Sequence, residues 1–145
     1  MAVRIRPATR SDVMGVAMLA GRFMPREARI TDRIRVLKHS LRKPNYYLYL
    51  AERQDRLVGF VDLWVFSDFA HAGKMGIVQS LFVDREVRRR GIGDHLMKQV
   101  MRRAKALKLK ELHVWTGFGN RAAISLYRKN HLTKRSLLLE REFEE

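Results

Sequence analysis

The chain of 145 residues reads as one mixed α/β domain, residues 1–145. Three observations predict this. Apolar residues alternate with period two in some segments and recur every three or four residues in others. Two strand-like runs, residues 46–52 and 57–66, flank the turn-forming Gln54-Asp55-Arg56 and predict a β-hairpin. An apolar run at 77–83 then leads through Arg88-Arg89-Arg90-Gly91-Ile92-Gly93 into a strongly amphipathic segment. The predicted order is β-α-α-β-β-β-α-β-α-β.

The first strand rests on the alternation Val3-Arg4-Ile5-Arg6. Ser11-Asp12 give an N-cap signal before Val13, Val16, Ala17, Leu19 and Ala20. Ile34, Leu37, Lys38 and Leu41 predict a second helix that stops before Pro44. The hairpin follows, then a polar loop at 67–74 and a strand at 77–83. A helix over 91–107 shows the stripe Ile92, Leu96, Val100, Ala104 and Leu107, with Lys98, Arg102 and Lys105 off it. Residues 111–116 read as a strand, broken by Gly117-Phe118-Gly119. Asn120 is placed to cap a last helix carrying Ala123, Ile124, Tyr127 and Arg128. The Leu-rich segment 132–141 reads as a final strand.

Composition narrows the function classes. Thirty Lys and Arg stand against 15 Asp and Glu, a net charge of +15. Residues 84–110 hold ten basic and three acidic side chains, an excess of seven. Such a balance predicts an acidic partner: a phosphorylated cofactor, nucleic acid or an acidic protein. The absence of cysteine excludes a thiolate nucleophile and fits a reducing compartment. The five histidines have no ligand-type spacing, so no metal is expected. The N-terminus lacks a signal-peptide core, and no apolar run approaches the roughly 20 residues of a membrane span. A cytoplasmic protein without a membrane partner is expected.

The segment at 88–93 carries the chemistry. The first N–H groups of a helix have no intrahelical acceptor, and the helix dipole favours an anion there. Gly91 and Gly93 would let a phosphate approach the backbone, and three arginines add planar donors, although Arg89 and Arg90 read equally well as plain surface charge. The segment predicts a diphosphate site. Gly-x-x-x-x-Gly-Lys-[Ser/Thr] is missing, as is a Gly-x-Gly-x-x-Gly after the first strand, which argues against two other phosphate-binding motifs.

Three stretches carry a resemblance. "LFVDREVRRRGIGDHLM", the strand at 111–116 and "NRAAISLYRKNHL" together resemble the GNAT superfamily of N-acetyltransferases. Arg88, Gly91 and Gly93 match its Gln/Arg-x-x-Gly-x-Gly/Ala signature. Asn120, Ala123, Leu126 and Tyr127 match a later N-x-x-A-x-x-L-Y pattern, and "IRPATRSDV" looks like a family N-terminus. The resemblance implies a mostly antiparallel sheet with one splayed parallel strand pair, flanked by helices. It implies acetyl-CoA as donor, a primary amine of a small molecule or protein as acceptor, and direct attack in a ternary complex.

It also implies roles. The main-chain N–H groups of Arg89, Arg90, Gly91, Ile92, Gly93 and Asp94 would hold the pyrophosphate, with Arg88 and its neighbours near the 3′-phosphate. The backbone of Leu81, Phe82 and Val83 would pair with pantetheine, and the Leu81 N–H would meet the acetyl carbonyl. Tyr127 would protonate the leaving thiolate, and Asn120 would bond the cofactor arm. Apart from the motif, Tyr127 also reads as a packed core tyrosine and Asn120 as a simple N-cap.

Where many relatives carry a base, this chain has Ile77, which cannot act as one. Gln79 on the same face cannot either. Asp62, Asp68, His71, His113 and a water relay remain as candidates, and none is assigned. Asn130 replaces a family glycine and is expected to take the left-handed conformation, while Leu132 replaces a phenylalanine. Phe66, Phe69 and Trp115 are candidates for an acceptor slot. An RNA-linked amine as acceptor, and a non-catalytic acetyl-CoA-binding module, are the alternatives. Either a monomer or a homodimer fits, with an open edge near residues 137–139.

Overall fold

A computed structural model of the chain describes residues 2–26 and 28–144. Its elements are β1 (Arg4–Pro7), a 3-10 turn (Arg10–Asp12), α1 (Val13–Phe23), α2 (Ile30–Leu41), β2 (Tyr46–Arg53) and β3 (Arg56–Asp68). Then come β4 (Gly73–Val78), β5 (Leu81–Val83), a second 3-10 turn (Arg85–Val87), α3 (Ile92–Ala106), β6 (Glu111–Val114) and α4 (Arg121–Lys129). The sheet order is β1-β2-β3-β4-β6, and β5 also pairs with β3. All pairings are antiparallel except β4 with β6.

Strand alternation divides the core between the two faces of the sheet. Leu48, Leu50, Phe60 and Phe82 pack with Val16 and Leu19 of α1. Tyr49, Val61, Leu63 and Val78 pack with Ile92, Leu96, Met97 and Val100 of α3 and with Tyr127 of α4. The stripe expected on α3 is therefore the buried face, joined by Met97.

Four details differ from the sequence reading. At the start of α1, Thr9 caps the 3-10 turn in a capping box with Asp12. The loop expected at 67–74 shrinks to a tight turn, because Asp68 caps the Ala70 N–H (3.1 Å) and both strands run on into it. The strand expected at 77–83 starts earlier and breaks at Gln79-Ser80. Trp64 pairs with Ile77 but Val61 pairs with Leu81, so three residues face two and the ladder slips by one.

The last strand does not form. Leu132 packs against the core and its N–H reaches the Tyr127 carbonyl (3.0 Å). Beyond it Leu137 and Leu139 are 74% and 82% exposed, and among the described residues the segment pairs with no strand. β propensity without a partner gives only an extended tail.

Candidate functional site

The break at Gln79-Ser80 shapes the first half of the site. Asp62 donates its main-chain N–H to the Ser80 carbonyl (3.0 Å), and Asp84 donates to Val58 (2.7 Å). In an antiparallel ladder these bonds make Val61–Leu81 and Gly59–Val83 the non-bonded pairs. The N–H and C=O groups of Phe82 therefore face β3, while those of Leu81 and Val83 face away from it. On that outer side β6 accompanies only β4, up to Val78 opposite Val114. Among the described residues no strand covers the outer edge of β5. The Phe82 side chain points to the α1 face, between Phe23 (4.9 Å) and Phe60 (5.9 Å). Leu81 and Val83 turn to the α3 face.

The second half is the approach to α3. Arg88 donates Nε–H to the Val83 carbonyl (3.0 Å) and lies over the Phe82 ring, so it ties this turn to β5. Arg89 and Gly91 both have left-handed backbone, at φ 65° and 77°. The first bond of the helix is His95 N–H to Gly91 C=O (3.0 Å). Among the described residues, the N–H groups of Arg89, Arg90, Gly91, Ile92, Gly93 and Asp94 meet no protein acceptor. Six consecutive N–H groups without a protein acceptor, at the positive end of a 15-residue helix, are an arrangement that favours an anion, here termed the cradle.

The two glycines serve different ends. Gly91 supplies the left-handed turn, with open space where a Cβ would sit. Gly93 lets α4 approach, since a Cβ there would lie 3.1 Å from the Leu126 side chain. Asp94 turns its carboxylate away from the cradle. It accepts from Asn130 Nδ2 (3.0 Å) and pairs with Lys98 (3.5 Å) and Lys129 (3.7 Å), and the Asn130 bond is the main cause that lowers its pKa.

Those contacts fix α4. Asn130 is buried, donates also to the Leu126 carbonyl (3.0 Å) and accepts from Lys98 Nζ (3.0 Å). The sequence expectation of a left-handed Asn130 is wrong. Its φ is −95°, and His131 (φ 68°) takes the left-handed turn instead. Asn130 is kept by a buried bridge between two helices, a role that sequence reasoning missed. The only local hint was the i,i+4 pair Asp94 and Lys98.

Asn120 accepts from the Ala123 N–H (3.2 Å), an N-cap as expected. Tyr127 is 7% exposed and packs in the cluster that holds Leu81, Val83, Ile92 and Leu126. Its hydroxyl has no hydrogen-bond partner among the described residues, yet no buried side-chain oxygen there is left unsatisfied. The hydroxyl thus keeps an opening to solvent while its ring is enclosed. Burial raises its pKa above the usual phenol value.

The candidate bases fare differently. Asp62 is buried, and its carboxylate is occupied by the N–H groups of Gln79 (3.1 Å) and Ser80 (2.9 Å) and by the Tyr46 hydroxyl (2.9 Å). Asp68 pairs with His71 (2.7 Å) at the β3–β4 turn, and His113 pairs with Glu111 (2.9 Å). His113 lies opposite Ile77, short of the break. Phe69 is 97% exposed on the turn and encloses nothing. Phe66 lines a depression of about 420 Å³ with Tyr47, Val65, Lys74 and Leu107. That depression lies by the C-terminal end of α3, about 20 Å along the helix from the cradle.

A model described as the Acetyltransferase (GNAT) family matches residues 16–131. No curated protein matches the sequence. Solved structures do match. A transcriptional regulator from Bacillus halodurans C-125 superposes with a TM-score of 0.90 at 19% identity, over 98% of this chain and 100% of that one. Ribosomal-protein-alanine N-acetyltransferase from Brucella melitensis biovar Abortus 2308 gives 0.79 at 19%, over 98% and 100%. The aminoglycoside N-acetyltransferase AAC(6')-Iy, solved with CoA, gives 0.86 at 15%, over 97% and 95%. At these identities the likeness concerns the fold.

Proposed function

The chain belongs to the GNAT acetyltransferase family, and we propose that it transfers the acetyl group of acetyl-CoA to a primary amine of a small molecule or protein by direct attack in a ternary complex. The observation that carries this reading is the run of six N–H groups without a protein acceptor at the start of α3, tied through Arg88 to a β5 edge that no strand covers among the described residues. A diphosphate fits the first and an amide-bearing arm fits the second, which matches the two halves of coenzyme A. Tyr127 belongs to the cluster that also holds Ile92 of α3 and against which Leu81 and Val83 of β5 pack.

Each residue then has a task. The N–H groups of residues 89–94 neutralise the diphosphate, and Arg88 with its neighbours adds positive charge nearby. The Leu81 and Val83 main chain extends the sheet along the pantetheine arm. The Leu81 N–H donates to the thioester oxygen as negative charge grows there. The Tyr127 hydroxyl, kept protonated by burial, gives its proton to the departing thiolate. Asn120 orders the start of α4 as its N-cap and, on this reading, bonds the cofactor arm. The amine must attack unprotonated, and solvent or a water relay takes its proton.

An acceptor screen with acetyl-CoA, read as a mass gain on the product, tests the reading. Turnover with at least one amine is expected, and Tyr127→Phe is expected to lower kcat by about 100-fold or more with the fold intact. Acetyl-CoA binding without turnover on any amine would leave a binding module instead. A net charge of +15 favours an RNA-linked amine as a second class of acceptor.

A further inference from the structure

We infer that Asp62 is the residue that sets the break between β4 and β5 and so aims the Leu81 N–H into the reaction site; it is a positioning residue, not the proton acceptor. This rests on the acetyl-transfer reading above. Asp62 holds the two residues outside the ladder with its side chain and its main chain together. Its carboxylate takes the N–H groups of Gln79 (3.1 Å) and Ser80 (2.9 Å), and its own N–H donates to the Ser80 carbonyl (3.0 Å). The second carboxylate oxygen accepts from Tyr46 (2.9 Å), whose ring packs at a tilt against Trp64, centroids 4.4 Å apart. Three donors occupy both oxygens of this buried carboxylate and hold it as a fixed acceptor, although burial pushes its pKa above the usual carboxylate range.

The register gives the consequence of losing that hold. Continued without a break from Trp64–Ile77, the ladder would pair Asp62 with Gln79, Val61 with Ser80 and Phe60 with Leu81. Phe60 occupies the bonded position now shared with Phe82. Leu81 would therefore turn its N–H inward to β3 and its side chain to the α1 face. A slip of one residue removes the donor from the open edge and trades the places of Leu81 and Phe82.

Three substitutions separate positioning from proton uptake. Asp62→Asn keeps an oxygen for the two amides, Asp62→Glu carries the carboxylate one methylene too far, and Asp62→Ala removes the acceptor. Positioning predicts that kcat ranks Asn above Glu, that Ala falls by about 100-fold in kcat with a rise in KM for acetyl-CoA as the β5 edge shifts, and that Asn keeps the pH–rate limb of the parent. A proton acceptor gives the reverse rank, Glu above Asn, with that limb lost in Asn, and this result overturns the inference. Equal rates in all three overturn it too. The rank of Asn against Glu decides even if the Ala variant does not fold. Amide exchange by NMR, without substrate, adds a readout free of turnover. Gln79 and Ser80 are expected to exchange faster in Ala, or in Glu should Ala not fold, than in the parent and Asn. Unchanged exchange sinks the role of Asp62, whereas a parent protein that transfers no acetyl group sinks only the acetyltransferase reading.

Discussion

Arg6 illustrates how much a single side chain can organise. Its guanidinium meets Asp12 at 2.8 Å through two nitrogens and Glu52 at 2.6 Å, so β1, the entry to α1 and β2 share one cation. The Arg6 hydrogen bond is the main reason that the Asp12 pKa falls from 3.8 to about 2. A carboxyl that titrates lower in the folded chain adds stability above its unfolded pKa and loses it as the pH drops. The contribution, on the order of 1–2 kcal/mol, is thus full above about pH 4 and drains toward pH 2. Asp12→Asn is expected to lose it at neutral pH and to flatten the stability curve between pH 4 and 2, as read by urea unfolding at each pH. Alternation in "VRIR" pointed to β1, but nothing local in the sequence pointed to a carboxylate pair around Arg6.

Gly91 acts on the scale of an element, because α3 starts from its left-handed backbone. Gly91→Ala meets no steric neighbour but must adopt φ 77°, a cost of about 1 kcal/mol. Acetyl-CoA affinity is expected to weaken more than global stability, and calorimetric titration beside thermal unfolding checks this. The helices and the hairpin were legible in the sequence because their signals are local: the stripe from Ile92 to Ala104 and the turn at Gln54-Asp55, while the spacing of Arg88, Gly91 and Gly93 marked the turn into α3. The break was not legible. It depends on Asp62 reaching residues 17 and 18 positions away, and a polar residue inside a strand does not announce its partner. The bridge from Asp94 to Asn130 is hidden for the same reason, at a separation of 36. The final strand was misread because its pattern is local while its pairing is not.

At the scale of the whole molecule, charge governs encounters. An excess of 15 positive charges attracts polyanions without regard to sequence. Binding to bulk tRNA is expected at low salt, with log affinity falling linearly against log salt concentration. No binding at low salt would remove RNA-linked amines from the list of acceptors. The uncovered edge of β5 bears on solubility as well as on catalysis. Unpaired strand edges recruit other strands, and on this one, Leu81 to Val83, the Arg88 guanidinium on the Val83 carbonyl is the charge at hand. On the proposed reading the substrate is also a chaperone for the apoprotein: the arm that brings the acetyl group caps the edge through which two molecules could join. Light scattering of concentrated protein is expected to rise more slowly with CoA present than with an equal concentration of diphosphate, which fills the cradle and leaves the edge bare.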